Sequence, residues 1–123
     1  MNRGEYRFSP LAEIQLDASW DYSFRRFGKQ QADRYLDGLF SAVEEVAANG
    51  RYLGLAPKRV PPDLIGEITT RPILYIRYGK HYLYLRDLLN GGIGVVCILG
   101  DRMDTPRRLK ENLFSPTSKI DDA

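Results

Sequence analysis

The chain has 123 residues and a mass of 14.1 kDa, the size of one domain, and its 43% hydrophobic residues are enough for one core. Its 18 basic and 16 acidic residues leave a net charge of +2, divided nine against eight on each side of residue 60, which excludes a polybasic nucleic-acid coat and an acidic tail. One Cys and one His exclude an internal disulfide and an ordinary zinc site, and no apolar run approaches the roughly 20 residues of a membrane span.

Met1 to Pro10 is polar and lacks the apolar stretch of a signal peptide, so with the lone Cys a cytoplasmic domain is expected. Tyr6 and Phe8 alternate with Glu5 and Arg7 as a short first strand. Ser9-Pro10 is a helix start: a hydroxyl to accept from an orphan amide, then a residue that needs no donor. From Leu11 to Phe27 the apolar residues form two stripes, one of Leu11, Ile14, Ala18 and Tyr22, the other of Leu16, Trp20, Phe24 and Phe27. A helix apolar on two sides needs two neighbours, or one neighbour and a partner protein. Gly28 ends it, and Ala32, Tyr35/Leu36, Leu39, Val43 and Val46 mark a second helix that stops at Asn49-Gly50, so the pair folds back as an antiparallel hairpin.

Arg51 to Pro62, with Gly54 and three prolines, reads as a loop. Ile73 to Tyr78 and Tyr82 to Leu88 alternate as strands about a Gly79-Lys80-His81 turn, and Gly94 to Leu99 is an apolar strand for the sheet interior. Ile65 to Thr69 is a candidate short strand, Arg107 to Phe114 a short helix opened by Pro106, and residues 115–123 a frayed tail. The expectation is a single α+β domain over residues 1–123: an N-terminal strand, an antiparallel helical hairpin on a three- to four-stranded antiparallel sheet, and a short C-terminal helix.

In this order and spacing, Ser9-Pro10-Leu11-Ala12, Trp20-Asp21-Tyr22, Phe27-Gly28, Gln31 to Leu36, Gly79 to Tyr84 and Cys97 to Asp104 resemble the ParE/RelE superfamily of bacterial type II toxins, nearer the ParE branch. The resemblance runs from about Tyr6 to Asp104. It implies a toxin silenced by a cognate, ParD-like antitoxin, and the two-sided first helix and aromatic sheet face call for an amphipathic segment of that partner to cover them. For the ParE branch it implies poisoning of DNA gyrase, and for the RelE branch cleavage of messenger RNA on the ribosome; an inactive homologue acting only within the antitoxin complex is the third reading. This chain has Gly100-Asp101 where many relatives carry a His before the terminal Arg, and its Arg51 to Pro72 loop aligns poorly.

A metal-free ribonuclease needs cations for the developing phosphorane charge and an acid and base at the 2′-hydroxyl. Arg77, His81, Arg86 and Arg102 are the candidates for that alternative, but none makes a convincing catalytic set. By alternation Tyr82, Tyr84 and Arg86 share one sheet face with Tyr75 and Arg77, and Leu83 and Leu85 face the helices. The plainer reading is that the tyrosine face packs under the C-terminal segment or receives an antitoxin. RelE-like enzymes also place a Tyr soon after the last strand, and Thr105 to Phe114 has none. His81 reads as a solvated turn residue and Cys97 as a buried small hydrophobe.

Trp20, Phe24, Tyr75, Tyr82 and Tyr84 are the expected antitoxin contacts, with core packing as the plainer role of Trp20. Arg102, Met103, Arg107 and Arg108 are the expected target-binding residues, placed by the resemblance in a segment important for toxicity; a solvated helix face explains them equally well. No cofactor, no metal, no membrane contact and no independent sequence-specific DNA binding are expected.

Overall fold

Entry into the helical hairpin is set by Ser9. The computed structural model describes residues 5–65, 71–89, 91–102 and 105–120. Strand β1 (Tyr6–Phe8) ends at a fully buried Ser9, whose hydroxyl accepts from the Ala12 amide at 2.9 Å and donates to the Val96 carbonyl at 2.6 Å. One side chain therefore caps α1 (Pro10–Phe27) and ties it to the sheet. Gly28 closes α1 and opens α2 (Lys29–Asn49), which ends at a left-handed Gly50, so the hairpin forms as its stripes predict.

Beyond it come β2 (Lys58–Arg59), α3 (Pro62–Ile65), β3 (Leu74–Tyr78), β4 (His81–Asp87), β5 (Ile93–Gly100) and α4 (Thr105–Phe114), then a single 3-10 turn at Pro116–Ser118. The sheet has five strands in the order β1-β5-β4-β3-β2. Its centre is the antiparallel set expected from alternation, and its edges add to that set. β1 pairs parallel with β5, Tyr6 opposite Ile93, because the helical hairpin returns the chain to the opposite side of the sheet before β3 begins. The second edge, β2, lies inside the segment read as loop, with Lys58 opposite Tyr75; two cationic residues between prolines carry no strand signal. Ile65, where a further short strand was expected to begin, is the last residue of α3, and the rest of that strand falls outside the described residues.

β5 is buried from Ile93 to Leu99 because helices cover both faces of the sheet. On one face Leu16, Leu39, Val43, Leu83, Leu85 and Val95 form the core beneath α1 and α2. On the other, Tyr84, Val96, Cys97 and Leu99 pack with Leu109 and Leu113 of α4. A bulge at Tyr84/Leu85 sets Val96 as the extra residue of β5.

The C-terminal segment is more ordered than its polar sequence predicts. Ser118 is buried and its hydroxyl donates to the Ser115 carbonyl at 2.9 Å. Arg86 Nη2 donates to the Ile120 carbonyl at 3.0 Å, and the Ile120 side chain occupies the space a Cβ would need at Gly94. So the segment is packed rather than frayed as far as Ile120, fixed by contacts more than 20 residues away in sequence; residues 121–123 lie outside the described residues.

Candidate functional site

The tyrosine face of the sheet forms as alternation predicts. Tyr75, Tyr82 and Tyr84 have ring centroids 5.9–6.4 Å apart, and the Arg77 guanidinium lies 5.7 Å from the Tyr82 ring. It is not an open platform. Tyr84 is 3% exposed and belongs to the core that α4 closes, so its phenol is pushed well above the usual range, by burial first and by neighbouring Cys97 and tyrosines second. Tyr84, expected to meet an antitoxin, is instead buried within the chain, its surface used by Leu109 and its neighbours. Tyr75 and Tyr82 remain half-buried. Burial also pushes the Cys97 thiol up to about 12, the behaviour of an inert core residue.

The four ribonuclease candidates do not form one set: Arg77, His81 and Arg102 lie at the end of the sheet near Asp101 but not on one face, and Arg86 lies apart. Arg77 Nη2 donates to Asp101 at 2.8 Å and its Nε to the Gly79 carbonyl at 3.1 Å, so it ties the β3–β4 turn to the end of β5. Arg86 is four residues along β4 from Tyr82, about 13 Å at strand spacing, and holds the C-terminal segment. Arg102 is exposed just after β5.

His81 is on the opposite face. It is not a turn residue: it is the first residue of β4, paired with Tyr78 and half-buried against the helices. Tyr35 Oη lies 2.7 Å from Nδ1 and Ser19 Oγ 3.3 Å from Nε2. Tyr35 donates its proton to the Tyr78 carbonyl at 3.2 Å, which leaves its oxygen to accept from Nδ1–H while Nε2 accepts from Ser19. That set suits a neutral imidazole, and burial lowers the His81 pKa against a weaker opposing pull from Asp101. Tyr78 returns a bond to the Tyr35 carbonyl at 2.9 Å, a close approach that only a residue without a Cβ permits at Gly38. Strand parity hides this in sequence: Gly79-Lys80 alone makes the turn, and His81 then points inward with Leu83 and Leu85.

The expected target segment is a seated helix. Arg107 and Arg108 are exposed on α4, each 3.9 Å from a Glu111 carboxylate oxygen, while Leu109 is buried on the sheet. Met103 lies outside the described residues. A relay that pattern reading missed locks α4 in place. β1 stops opposite Val95, and beyond it Gln15 of α1 accepts from the Ile98 amide at 2.7 Å. Gln15 also donates to Asn112 at 2.8 Å, and Asn112 donates to the Arg108 carbonyl at 2.7 Å. The only trace in the sequence is an amide at Gln15, one turn after apolar Leu11 on the same flank.

The outer face of α1 is open. Trp20 is half-buried, donates to Asp33 at 2.9 Å and stacks on Phe24 at 5.1 Å. Tyr22 and Phe27 are 60% and 61% exposed, with the Arg26 guanidinium 5.5 and 5.9 Å from their rings, and Ile14 is exposed further back. A shallow cleft of about 620 Å³ lies over Asp17, Ala18, Trp20, Asp21 and Leu36. The two stripes therefore do not both find neighbours within the chain: Leu16 enters the core, and much of the remainder faces outward.

Among the described residues no group of three His, Cys, Asp or Glu is placed to hold a metal, and no helix is long and apolar enough to cross a membrane. Residues 6–105 match the family model for the ParE toxin of type II toxin–antitoxin systems, parDE. Two curated relatives, each called Toxin ParE1, from Mycobacterium tuberculosis strains CDC 1551 / Oshkosh and ATCC 25618 / H37Rv, are 35% identical over 104 residues, spanning 85% of this chain and 96% of theirs.

Proposed function

This chain belongs to the ParE toxin family of type II toxin–antitoxin systems, and on that footing we propose that it binds and poisons DNA gyrase in the cytoplasm, without catalytic chemistry of its own, until a ParD-like antitoxin silences it. The observation that carries the choice of binding over RNA cleavage is the occupied sheet face. Tyr84 is sealed in the α4 core, and Arg77 and Arg86 are engaged in holding backbone segments at opposite ends of β4. Among the described residues the half-exposed remainder of that face is Tyr75 and Tyr82 with Arg77, and His81 points to the other side of the sheet.

A small protein with no catalytic set can still halt an enzyme whose reaction passes through cleaved DNA. It has only to bind that intermediate better than the resting enzyme, since a ligand shifts an equilibrium by its differential affinity. Arg107 and Arg108 on a seated α4, with Arg102 beside it, present cations on a rigid support of the kind an enzyme–DNA surface accepts. For the antitoxin, the aromatic outer face of α1 supplies apolar area that an amphipathic segment covers as it folds.

The test is a supercoiling assay with purified chain and gyrase. Inhibition with accumulation of cleaved DNA is expected, weakened by Arg107→Glu with Arg108→Glu and reversed by antitoxin. Charge reversal is the appropriate variant, because deleting residues after 104 would strip Leu109 and Leu113 from the core over Tyr84. Gyrase indifferent to the intact chain removes the target. Cuts in translated messenger that disappear in Arg77→Ala would instead place the activity on RNA.

A further inference from the structure

The segment after α2 contains a turn that the fold itself does not account for. Tyr52 and Leu55 pair as a two-bond bridge, amide to carbonyl in both directions at 2.9 and 3.0 Å, around Leu53 and Gly54. Both central residues have positive φ, +52° and +76°, the pattern of a type I′ turn, whose first central position favours Asn, Asp or Gly. Leu53 is the one non-glycine residue at positive φ among the described residues. Its side chain is 75% exposed and that of Leu55 68%, so neither repays the strained backbone by entering the core.

The turn is nonetheless firmly mounted. Tyr52 packs against the main core, its ring centroid 6.4 Å from that of Tyr78, and Arg51 Nη1 donates to the Gly54 carbonyl at 3.1 Å, which holds a guanidinium at the turn. The ten residues from Arg51 to Val60 carry three cations, Arg51, Lys58 and Arg59, and no anion. Lys58 and Arg59 are exposed on β2.

We propose that this turn is a target-binding knob: Leu53 and Leu55 insert into an apolar pocket with an acidic rim on the toxin's protein target, and Arg51, Lys58 and Arg59 meet the rim. The inference rests on the reading of the chain as a toxin directed at gyrase. An exposed apolar turn that Arg51 contacts and that Lys58 and Arg59 follow closely in the chain is complementary to a preformed, negatively charged pocket. It is a poor match for nucleic acid, since a leucine has no π-face on which a base could stack, and it is too small for a segment that wraps. Keeping Leu where Asn would suit the backbone is the expected cost of a surface selected for binding rather than for stability.

The test compares wild-type chain with Leu53→Asn, and with Arg51→Glu/Lys58→Glu, in three measurements. Leu53→Asn should unfold at the same or a higher temperature, bind antitoxin within twofold of wild type, and inhibit gyrase at least tenfold more weakly. The charge-reversed variant should also lose potency, and the loss should shrink as salt is raised. Leu53→Asn as potent as wild type overturns the proposal. So does an equal loss of antitoxin affinity, which would make the turn an antitoxin contact, or recovery of potency by added DNA alone. If the wild-type chain leaves gyrase untouched, the gyrase reading fails, and the comparison moves to growth arrest on induction. There, equal arrest by wild type and Leu53→Asn overturns the knob, lost arrest in Leu53→Asn alone upholds it for another protein target, and no arrest by either overturns both readings.

Discussion

On the sheet, Tyr84 is sealed in a core with Leu109 while Tyr75 and Tyr82 lean against it; on α1, Tyr22 and Phe27 are mostly exposed, with Arg26 across their rings. The two regions have similar composition and opposite exposure. The sheet aromatics have every geometric mark of a binding platform, but α4 and the segment to Ile120 use much of that face internally. The helix aromatics look like ordinary core stripes, yet the sheet has room for only one side of α1. An aromatic cluster is therefore a candidate interface only after the chain's own packing has been subtracted.

The difference can be tested by removing side chains on each side. Tyr84→Ala should cost about 3–5 kcal/mol of stability, the range for deleting a large buried aromatic, read from the denaturation midpoint. A loss below about 1 kcal/mol would mean that the sheet face is open after all. Gln15→Ala leaves the Ile98 amide without its side-chain acceptor and unlocks Asn112, so about 1–3 kcal/mol should be lost, with faster hydrogen exchange in α4. Loss of stability without faster exchange in α4 would confine the relay to α1 and β5. On the outer face, Tyr22→Ser with Phe27→Ser should change stability by no more than about 0.5 kcal/mol per site yet lower antitoxin affinity about tenfold, or about 1.4 kcal/mol. A calorimetric titration reads this directly, and unchanged affinity would take that face out of the antitoxin interface.

The seam between the helices and the sheet is distinguished by its response to pH. Burial depresses the pKa of His81 from its ordinary 6.5, so protonation is harder in the folded state than in the unfolded one. The stabilisation from a neutral His81 is complete above 6.5 and declines as the pH falls from there toward the folded-state value. Unfolding midpoints at pH 7.5 and 5.5 should therefore differ, the lower pH being less stable, and His81→Gln should flatten that slope. A wild-type midpoint that rises on acidification contradicts the buried, neutral assignment.

Much of this was legible in the sequence for a physical reason. Period and capping are local, so Ser9-Pro10, the α2 stripe and the alternation of β3 and β4 show in the sequence the order of the larger elements and the facing of the tyrosines and leucines on β3 and β4. What was not legible is set by partners distant in the chain. Lys58–Arg59 becomes a strand only because Tyr75 and Leu74 offer an edge, and β1 is parallel only because α1 and α2 carry the chain around. His81 reads as a turn residue in the sequence because a turn and a strand start differ by one residue, which reverses the direction of the side chain. The candidate site residues divide the same way: Trp20 and Phe24 are visible as a stripe, whereas the sealing of Tyr84 depends on where α4 lies.

The central claim, that the antitoxin meets the outer face of α1 and not the sheet aromatics, is tested most directly by hydroxyl-radical footprinting of the free chain and of its antitoxin complex. Tyr22, Phe24 and Phe27 should be modified in the free chain and protected in the complex, with Tyr84 unmodified in both. Ready modification of Tyr84 in the free chain, or protection confined to Tyr75 and Tyr82 while Tyr22 and Phe27 stay reactive, would contradict it.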